Sequence, residues 1–176
     1  MIIRKARMEE CDALQQLIAE SARKLSREHY SDAQIEAAIA TVFGVDTTLI
    51  EDGTYFVVES DGQLAGCGGW SKRKTLFGGD QYSSRDTAYS DPETEPAKIR
   101  AFFIHPDHAR KGVAGALLSR CEDEARAQGY RALELLSTLP GLEFYKSCGF
   151  VETGTLTLDL TDSVKLDFVP MRKELL

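Results

Sequence analysis

Apolar residues in the first half of the chain recur with two spacings, one typical of helices and one typical of strands. The helical spacing covers residues 9–25, where the apolar positions fall on one face. A second helix is predicted after Ser31, because Gln34 completes a capping box before further apolar positions at helical spacing. Residues 54–59 and 63–71 are predicted to form a hairpin, since a turn signal separates two strand-like runs.

The second half alternates between apolar strands and helices. Residues 99–104 are mostly apolar and aromatic, as in a buried strand, and residues 112–128 follow as an amphipathic helix that Gly129 ends. The other predicted elements are an opening strand at 1–7, a strand at 132–136, a short helix beginning at Pro140, and antiparallel strands at 151–160 and 165–171. This order predicts an α/β fold. Because no repeat or linker interrupts the pattern, residues 1–176 are predicted to form a single domain.

The turn between the predicted central strand and the next helix carries the strongest chemical signal. Pro106 ends the strand, because proline cannot donate to a ladder. Gly112, Ala114 and Gly115 let the backbone approach a ligand closely at the start of the helix. A helix N-terminus has unpaired N–H groups and the positive end of the helix dipole, so it binds phosphate. The turn also contains two basic residues, Arg110 and Lys111. Two histidines flank it: His105 is expected to stabilise the turn, and His108 is expected to be exposed to solvent.

This turn differs from the commoner phosphate-binding loops. In a nucleoside-triphosphate loop a Gly-Lys pair is followed by Ser or Thr, whereas Lys111 precedes Gly112 here and no hydroxyl follows. The three spaced glycines of a dinucleotide fold are absent too. Residues 112–114, Gly-Val-Ala after a His-Pro turn, instead resemble the acetyl-CoA loop of the GNAT-family N-acetyltransferases. The Gln or Arg that opens the family signature is replaced by Ala109, with Arg110 one place along.

A second motif makes the resemblance specific. Residues 142–150, Leu-Glu-Phe-Tyr-Lys-Ser-Cys-Gly-Phe, resemble the Phe-Tyr-x-x-x-Gly-Phe ending of the same family. Thr138 stands where the family often has asparagine. The order of elements follows the family over the whole C-terminal half, so the resemblance implies the GNAT fold: a mixed, twisted sheet splayed at the cofactor site, with helices on both faces.

The resemblance implies acetyl-CoA as co-substrate and no metal ion. In the family, main-chain groups of the central strand bind the pantetheine arm, and the turn before the helix binds the pyrophosphate. The residues expected at the cofactor are Phe102, Phe103, Ile104, Ala109, Arg110, Lys111, Gly112, Val113, Ala114, Gly115, Thr138 and Tyr145.

Two residues are predicted to act in catalysis. Tyr145 is the candidate general acid, because a phenol stays protonated at neutral pH and can donate to a departing thiolate. Many family members carry a glutamate near the middle of the central strand, where this chain has Arg100-Ala101-Phe102. Glu134 on the next strand is one substitute for this base, with a structural carboxylate as the alternative. A relay of water is equally possible, and the other candidates, each with a solvated loop charge as the alternative, are Asp80, Asp86 and Asp91. Arg100 is predicted either to orient an acidic group of the acceptor or to pair with Glu134.

Three segments are candidates for the acceptor side of the site. Residues 73–95 have no clear periodicity and are predicted to form a lid or acceptor-recognition loop, with a surface insertion as the alternative. The resemblance implies a second candidate, because in the family the segment between the first two helices often shapes the acceptor site; here it contains His29 and Tyr30. Gly68 and Gly69 predict either a bulge under the following tryptophan or room for a substrate or acyl chain.

Composition narrows the class of partner. Hydrophobic residues make up 43% of the chain, which predicts a packed core, and the formal net charge of −7 argues against nucleic-acid binding. We expect no membrane-spanning segment, because no apolar run is long enough. We also expect no zinc-binding or redox-active cysteine motif, because no two cysteines form a Cys-x-x-Cys pair. The scattered cysteines are typical of reduced thiols in a cytoplasmic protein.

The sequence therefore predicts an N-acetyltransferase that moves an acetyl group from acetyl-CoA to a primary amine by direct attack. A small-molecule amine or a peptide is the expected acceptor, and a homodimer is left open. The alternatives are a CoA-binding sensor or partner module without catalysis, and a transferase that uses a longer acyl-CoA.

Overall fold

Eight strands form one continuous sheet, and the computed structural model describes every residue from 1 to 176. The strands are β1 (Ile2–Lys5), β2 (Tyr55–Ser60), β3 (Gln63–Ser71), β4 (Ala97–Ile104), β5 (Ala132–Thr138), β6 (Val151–Glu152), β7 (Leu156–Asp159) and β8 (Lys165–Glu174). Their order is β1-β2-β3-β4-β5-β8-β6, and β7 also pairs with β8. Only β4 and β5 run parallel, so the sheet is mixed.

Five α-helices cover the sheet. They are α1 (Cys11–Leu25), α2 (Asp32–Thr41), α3 (Thr47–Glu51), α4 (Val113–Ala127) and α5 (Leu142–Ser147). The capping box predicted before α2 is confirmed, because Ser31 Oγ accepts a hydrogen bond from the Gln34 N–H and Gln34 Oε1 accepts one from the Ser31 N–H. None of these helices combines the length and the apolar character needed to cross a membrane.

The sheet separates two hydrophobic cores. One lies beneath α1 and α2 and includes Leu14, Ile18 and Phe43. The other lies beneath α4 and includes Trp70, Leu117 and Leu133. Each face of the sheet is therefore buried by helices, and the predicted α/β architecture with helices on both faces is confirmed.

The two central strands separate after a short paired stretch. β4 pairs with β5 only through Ala97 with Leu133 and Lys98 with Glu134. Beyond Lys98 the edge of β4 that faces β5 is left without a strand partner. The sheet is therefore split along one line, and the splay expected from the sequence lies between β4 and β5.

Several element boundaries differ from the sequence predictions. The helix α3 was not predicted, and it begins where the Asp46 carboxylate accepts a hydrogen bond from the Thr48 N–H at 3.0 Å. The first helix starts at Cys11 after a 3-10 turn, and the strand expected at 151–160 is divided into β6 and β7. These are short elements whose ends are fixed by tertiary contacts, so local patterns locate them poorly.

The glycine pair in β3 forms a bulge and leaves no open space. The pairing of β3 with β4 shifts register between Cys67 and Gly69. A side chain at Gly68 would collide with the ring of Phe102, and one at Gly69 would collide with the carbonyl of Thr54. The bulge expected from the sequence is therefore present, whereas the room for an acyl chain is absent.

Candidate active site

The gap between β4 and β5 opens into a cavity of about 790 Å³ that reaches both faces of the sheet. We call the part beside the start of α4 the α4 half and the part beside the end of α1 the α1 half. The α4 half is lined by residues that include Phe102, Ile104, Val113, Ala114, Gly115 and Tyr145. The α1 half is lined by residues that include Ala22, Leu25, Phe43, Phe77, Arg100 and Phe168.

The turn from β4 to α4 is held by its own hydrogen bonds and by two residues with positive φ. His105 Nδ1 accepts a hydrogen bond from the Asp107 N–H at 3.1 Å, so the predicted stabilising role of His105 in the turn is confirmed. Arg110 has φ 63° and Gly112 has φ 85°, values that favour glycine. This path brings the backbone of residues 109–112 around to the start of α4 at the wall of the cavity.

The first turn of α4 has the properties of an anion-binding site. The first amide bonded back to the helix cap is Ala116 N–H, which donates to Gly112 O at 3.1 Å, so the amides before it have no partner within the helix. A Cβ atom placed at Gly112 or Gly115 would meet no atom of another part of the protein within 4 Å. Unpaired N–H groups, the helix dipole and open space therefore coincide, and this arrangement suits a phosphate or pyrophosphate.

The free edge of β4 is kinked at Ala101. This residue has φ 52°, which an alanine rarely adopts. The hydroxyl of Tyr55, a fully buried residue, donates to Ala101 O at 2.8 Å and so holds the kinked backbone. The ring of Phe102 fills the space that Gly68 leaves on β3. The main chain of residues 101–104 is thus presented to the cavity by fixed neighbours.

Tyr145 lies on α5 at the wall of the α4 half. Its ring packs edge-on against Phe144 and Phe150, with ring centres 5.1 and 5.6 Å away, and tilted towards Phe102 at 6.4 Å. Burial raises the pKa of the Tyr145 hydroxyl well above its ordinary value, so the phenol keeps its proton over the whole physiological range. Thr138, at the end of β5, lines the same cavity.

Glu134 lies outside this cavity. Its carboxylate accepts from Lys98 Nζ at 2.8 Å, and it is a third exposed at the side of the sheet where β4 and β5 still pair. This position does not suit the predicted base, because no reacting group in the cavity could exchange a proton with it directly. The alternative reading, a structural carboxylate, agrees with the ion pair.

Arg100 also has a different partner from the one predicted. Its Nη2 donates to Asp46 Oδ2 at 3.1 Å and to Gly78 O at 2.8 Å, and its side chain is only 2% exposed. The Asp46 carboxylate is shared with Arg85 Nη1 at 2.6 Å. Arg100 Nη1 is buried and has no hydrogen-bond partner. Arg100 therefore belongs to the α1 half and not to a pair with Glu134.

Residues 73–95 contain no helix or strand, as predicted, but they are firmly attached. Arg73 forms two hydrogen bonds to the Asp52 carboxylate, both at 2.8 Å. The N–H groups of Gly79 and Asp80 donate to the carbonyls of Val42 and Val45. These contacts place residues 76–79 in the wall of the α1 half, so the segment is not a loose surface insertion. Its role in acceptor recognition stays a prediction.

Three other residues differ from their expected positions. His108 is buried and lines the cavity, with Nε2 at 3.4 Å from Gln63 Oε1, whereas a solvent-exposed side chain was predicted. Tyr30 is structural, since its hydroxyl donates to Asp167 O at 2.7 Å and accepts from the Leu139 N–H at 2.9 Å. Lys111 is the one residue of the expected cofactor set that does not line the cavity.

A family model and several solved structures match this chain. The acetyltransferase (GNAT) family model matches residues 11–150. Among solved structures, a GCN5-related N-acetyltransferase from Rhodopseudomonas palustris superposes with a TM-score of 0.74 and 18% identity, covering 99% of this chain and 95% of that chain. The PaiA N-acetyltransferase from Thermoplasma acidophilum, in complex with coenzyme A, gives a TM-score of 0.66, 18% identity and 98% coverage of both chains.

A third structure, YncA from Salmonella typhimurium with its cofactor acetyl-CoA, gives a TM-score of 0.63 and 20% identity and covers 99% of this chain and 94% of that chain. No curated protein sequence matches the chain significantly. The split sheet with helices on both faces is the fold that these solved structures share with this chain. The chain belongs to the acetyltransferase (GNAT) family, and the resemblance drawn from its two motifs is confirmed.

Proposed function

We propose that this protein transfers an acetyl group from acetyl-CoA to a primary amine by direct attack of the amine on the thioester. The observation that carries the proposal is the single cavity that connects the anion site at the start of α4 with a second chamber beside α1. A bisubstrate reaction without a covalent enzyme intermediate needs this arrangement, because donor and acceptor must meet in one space.

The α4 half would hold acetyl-CoA. The unpaired amides of residues 113–115 suit the pyrophosphate, and the free edge of β4 at residues 102–104 suits the pantetheine arm, whose amides need main-chain partners. Ala109, Arg110 and Thr138 line the same cavity and complete the expected set. Lys111 would act only through its charge, at longer range. Acetyl-CoA supplies the activated acetyl group.

Tyr145 would serve as the general acid. Tyr145 lines the α4 half, and burial raises the pKa of its hydroxyl, so the proton is available at every physiological pH. As the thiolate of CoA departs, the Tyr145 hydroxyl would donate to the sulfur. The packing of the ring against three aromatic neighbours would fix its position for this transfer.

Water would accept the proton of the amine. Glu143, at the exposed rim on α5, is the one carboxylate among the residues that line the cavity. Glu134 lies outside, paired with Lys98. His108 also lines the cavity, but it is buried, with Nε2 at 3.4 Å from Gln63 Oε1. We therefore propose no side chain as general base, and the amine would be deprotonated through solvent in the open cavity.

The direct test is release of free CoA thiol from acetyl-CoA in the presence of a panel of primary amines, with mass spectrometry of the products. We expect thiol release that depends on the amine and an acetylated amine in equal amount. Binding of CoA without amine-dependent release would contradict the proposal and would favour a CoA-binding module.

That module is the second candidate, and one observation favours it: the cavity has no enclosed carboxylate to act as a base. Ala109 and Thr138 also replace residues expected from the family signature. The third alternative, a longer acyl donor, loses its support from Gly68, because the Phe102 ring fills the space beside it.

A further inference from the structure

The α1 half of the cavity has an apolar, aromatic wall. Phe43 and Phe168 pack edge-on with ring centres 6.4 Å apart, and Phe77 stacks on Phe168 at 6.5 Å. Leu25, at the end of α1, lines the mouth and is 39% exposed. A ligand that enters this half therefore meets mainly carbon surface, which favours an apolar body over a strongly hydrated one.

No carboxylate lines this half. Two acidic residues lie near it, Asp46 and Asp80, and neither is in the cavity wall. Asp46 is 3% exposed and is engaged by Arg85, by Arg100 and by the N–H of Thr48. Asp80 accepts from the Thr47 N–H and lies 3.6 Å from Arg85, outside the cavity. The acidic groups that could neutralise a cation are therefore already occupied.

The charged side chain that does line this half is a cation. Arg100 is 2% exposed, and its Nη1 is buried without a hydrogen-bond partner. A second ammonium group on a ligand would have to leave water, pass the aromatic wall and approach this guanidinium. The carboxylate partner of Arg100, Asp46, is also held by Arg85, so no free counter-charge would remain for the ammonium. Burial of an unpaired charge is strongly unfavourable, and the nearby like charge makes it more so.

From these observations we infer that the acceptor is an amine with an apolar body and no second positive charge, and that diamines and polyamines are excluded. The inference rests on the proposed acetyl transfer and names the substrate class of that same site. The reacting amine must itself lose its proton before attack, so one nitrogen is tolerated, whereas a second ammonium stays charged throughout.

Pentylamine and cadaverine, which has the same five-carbon chain with an amine at each end, provide a matched pair of probes. We expect kcat/KM with acetyl-CoA to be at least about tenfold higher for pentylamine, although cadaverine offers two reacting groups. Calorimetric titration of each amine into the protein loaded with CoA measures the same preference without catalysis, and tighter binding of pentylamine is expected there.

The variant Leu25→Glu places a carboxylate at the mouth of the α1 half, and Leu25→Gln is the matched control without the charge. Because Leu25 is partly exposed, both changes are compatible with folding, which circular dichroism checks. We expect Leu25→Glu to shift the pentylamine-to-cadaverine ratio towards cadaverine by about tenfold relative to Leu25→Gln.

The outcomes separate the inference from the proposed function. Equal or better use of cadaverine by the unmodified protein, or tighter binding of cadaverine to the CoA-loaded protein, would overturn the inference and leave acetyl transfer standing. Absence of turnover with both amines, together with preferential binding of pentylamine, would overturn the proposed function and support the inference about the chamber. Equal ratios in the two Leu25 variants would contradict the electrostatic reason.

Discussion

The two halves of the cavity are built from different parts of the polypeptide. The α4 half depends on main-chain groups, namely the amides that begin α4 and the free edge of β4. The α1 half depends on side chains from α1, residues 42–44, residues 76–79, β4 and β8. A main-chain site needs small residues in one consecutive run and so leaves a local pattern in the sequence, whereas a side-chain site assembled from five segments leaves none.

The first prediction tests whether main-chain groups form the site in the α4 half, and the variant Gly115→Leu should have the largest effect. A Cβ atom at this position meets no atom of another part of the protein within 4 Å, so a leucine side chain would project into the space assigned to the pyrophosphate. We expect CoA affinity to fall by about 100-fold or more, equivalent to about 3 kcal/mol of lost charge-assisted hydrogen bonding. Calorimetric titration with CoA measures the change.

Gly115 is a better position for this test than Gly112, because Gly112 has φ 85° and any side chain there adds backbone strain. Leucine also favours a helix over glycine by about 1 kcal/mol, so the melting temperature should not fall. Gly115→Ala is the matched control and should bind CoA within a few-fold of the original protein. Unchanged affinity in a folded Gly115→Leu protein would contradict the main-chain anion site.

The second prediction concerns chemistry in the α4 half. Tyr145→Phe keeps the ring and its three aromatic contacts and removes only the proton donor. We expect kcat to fall by roughly 10², with CoA affinity nearly unchanged. Steady-state rates with a working amine and a melting curve test this together. A full rate in Tyr145→Phe would assign protonation of the thiolate to water.

The sequence predicted more of the α4 half, which main-chain groups form, than of the α1 half, which side chains from distant segments form. Gly112 and Tyr145 were predicted at the site because each belongs to a short motif at a fixed distance from a strand, and both line the cavity. The pairing of Arg100 with Asp46 was missed, because 54 positions separate the two residues and nothing local links them. His108 was expected in solvent from its polarity, but the turn after β4 brings it into the cavity wall.

The fold was easier to predict than its details for a related reason. Long amphipathic segments such as α1 and α4 bury one face, and that requirement is visible in the sequence. Residues 73–95 have no such face, and their path is set by contacts such as Arg73 with Asp52 and Thr75 with the Asp86 carbonyl. A loop fixed by polar contacts to distant segments shows no periodicity, so its place in the wall of the α1 half required the structure.

The third prediction concerns the dependence of kcat/KM on pH, which should follow the pKa of the acceptor amine and not that of a protein side chain. With no enclosed carboxylate in the cavity, kcat/KM should rise with pH as the acceptor loses its proton. Because the pKa of Tyr145 is raised, the acid stays protonated and no fall is expected through mildly alkaline pH. Replacing pentylamine by the less basic benzylamine should move the rising limb to lower pH. An inflection at the same pH for both amines would reveal a protein base.

The smallest effect is expected outside both halves, at Glu134. Glu134→Gln removes the charge that pairs with Lys98 and keeps the shape of the side chain. Since this pair lies where β4 and β5 are still joined, kcat should change by less than about twofold, and the free energy of unfolding should drop by about 1 kcal/mol. Steady-state kinetics and urea unfolding measure the two quantities. A loss of rate comparable to that of Tyr145→Phe, with KM unchanged, would return Glu134 to the role of base and would mean that the chemistry extends beyond the cavity between the split strands.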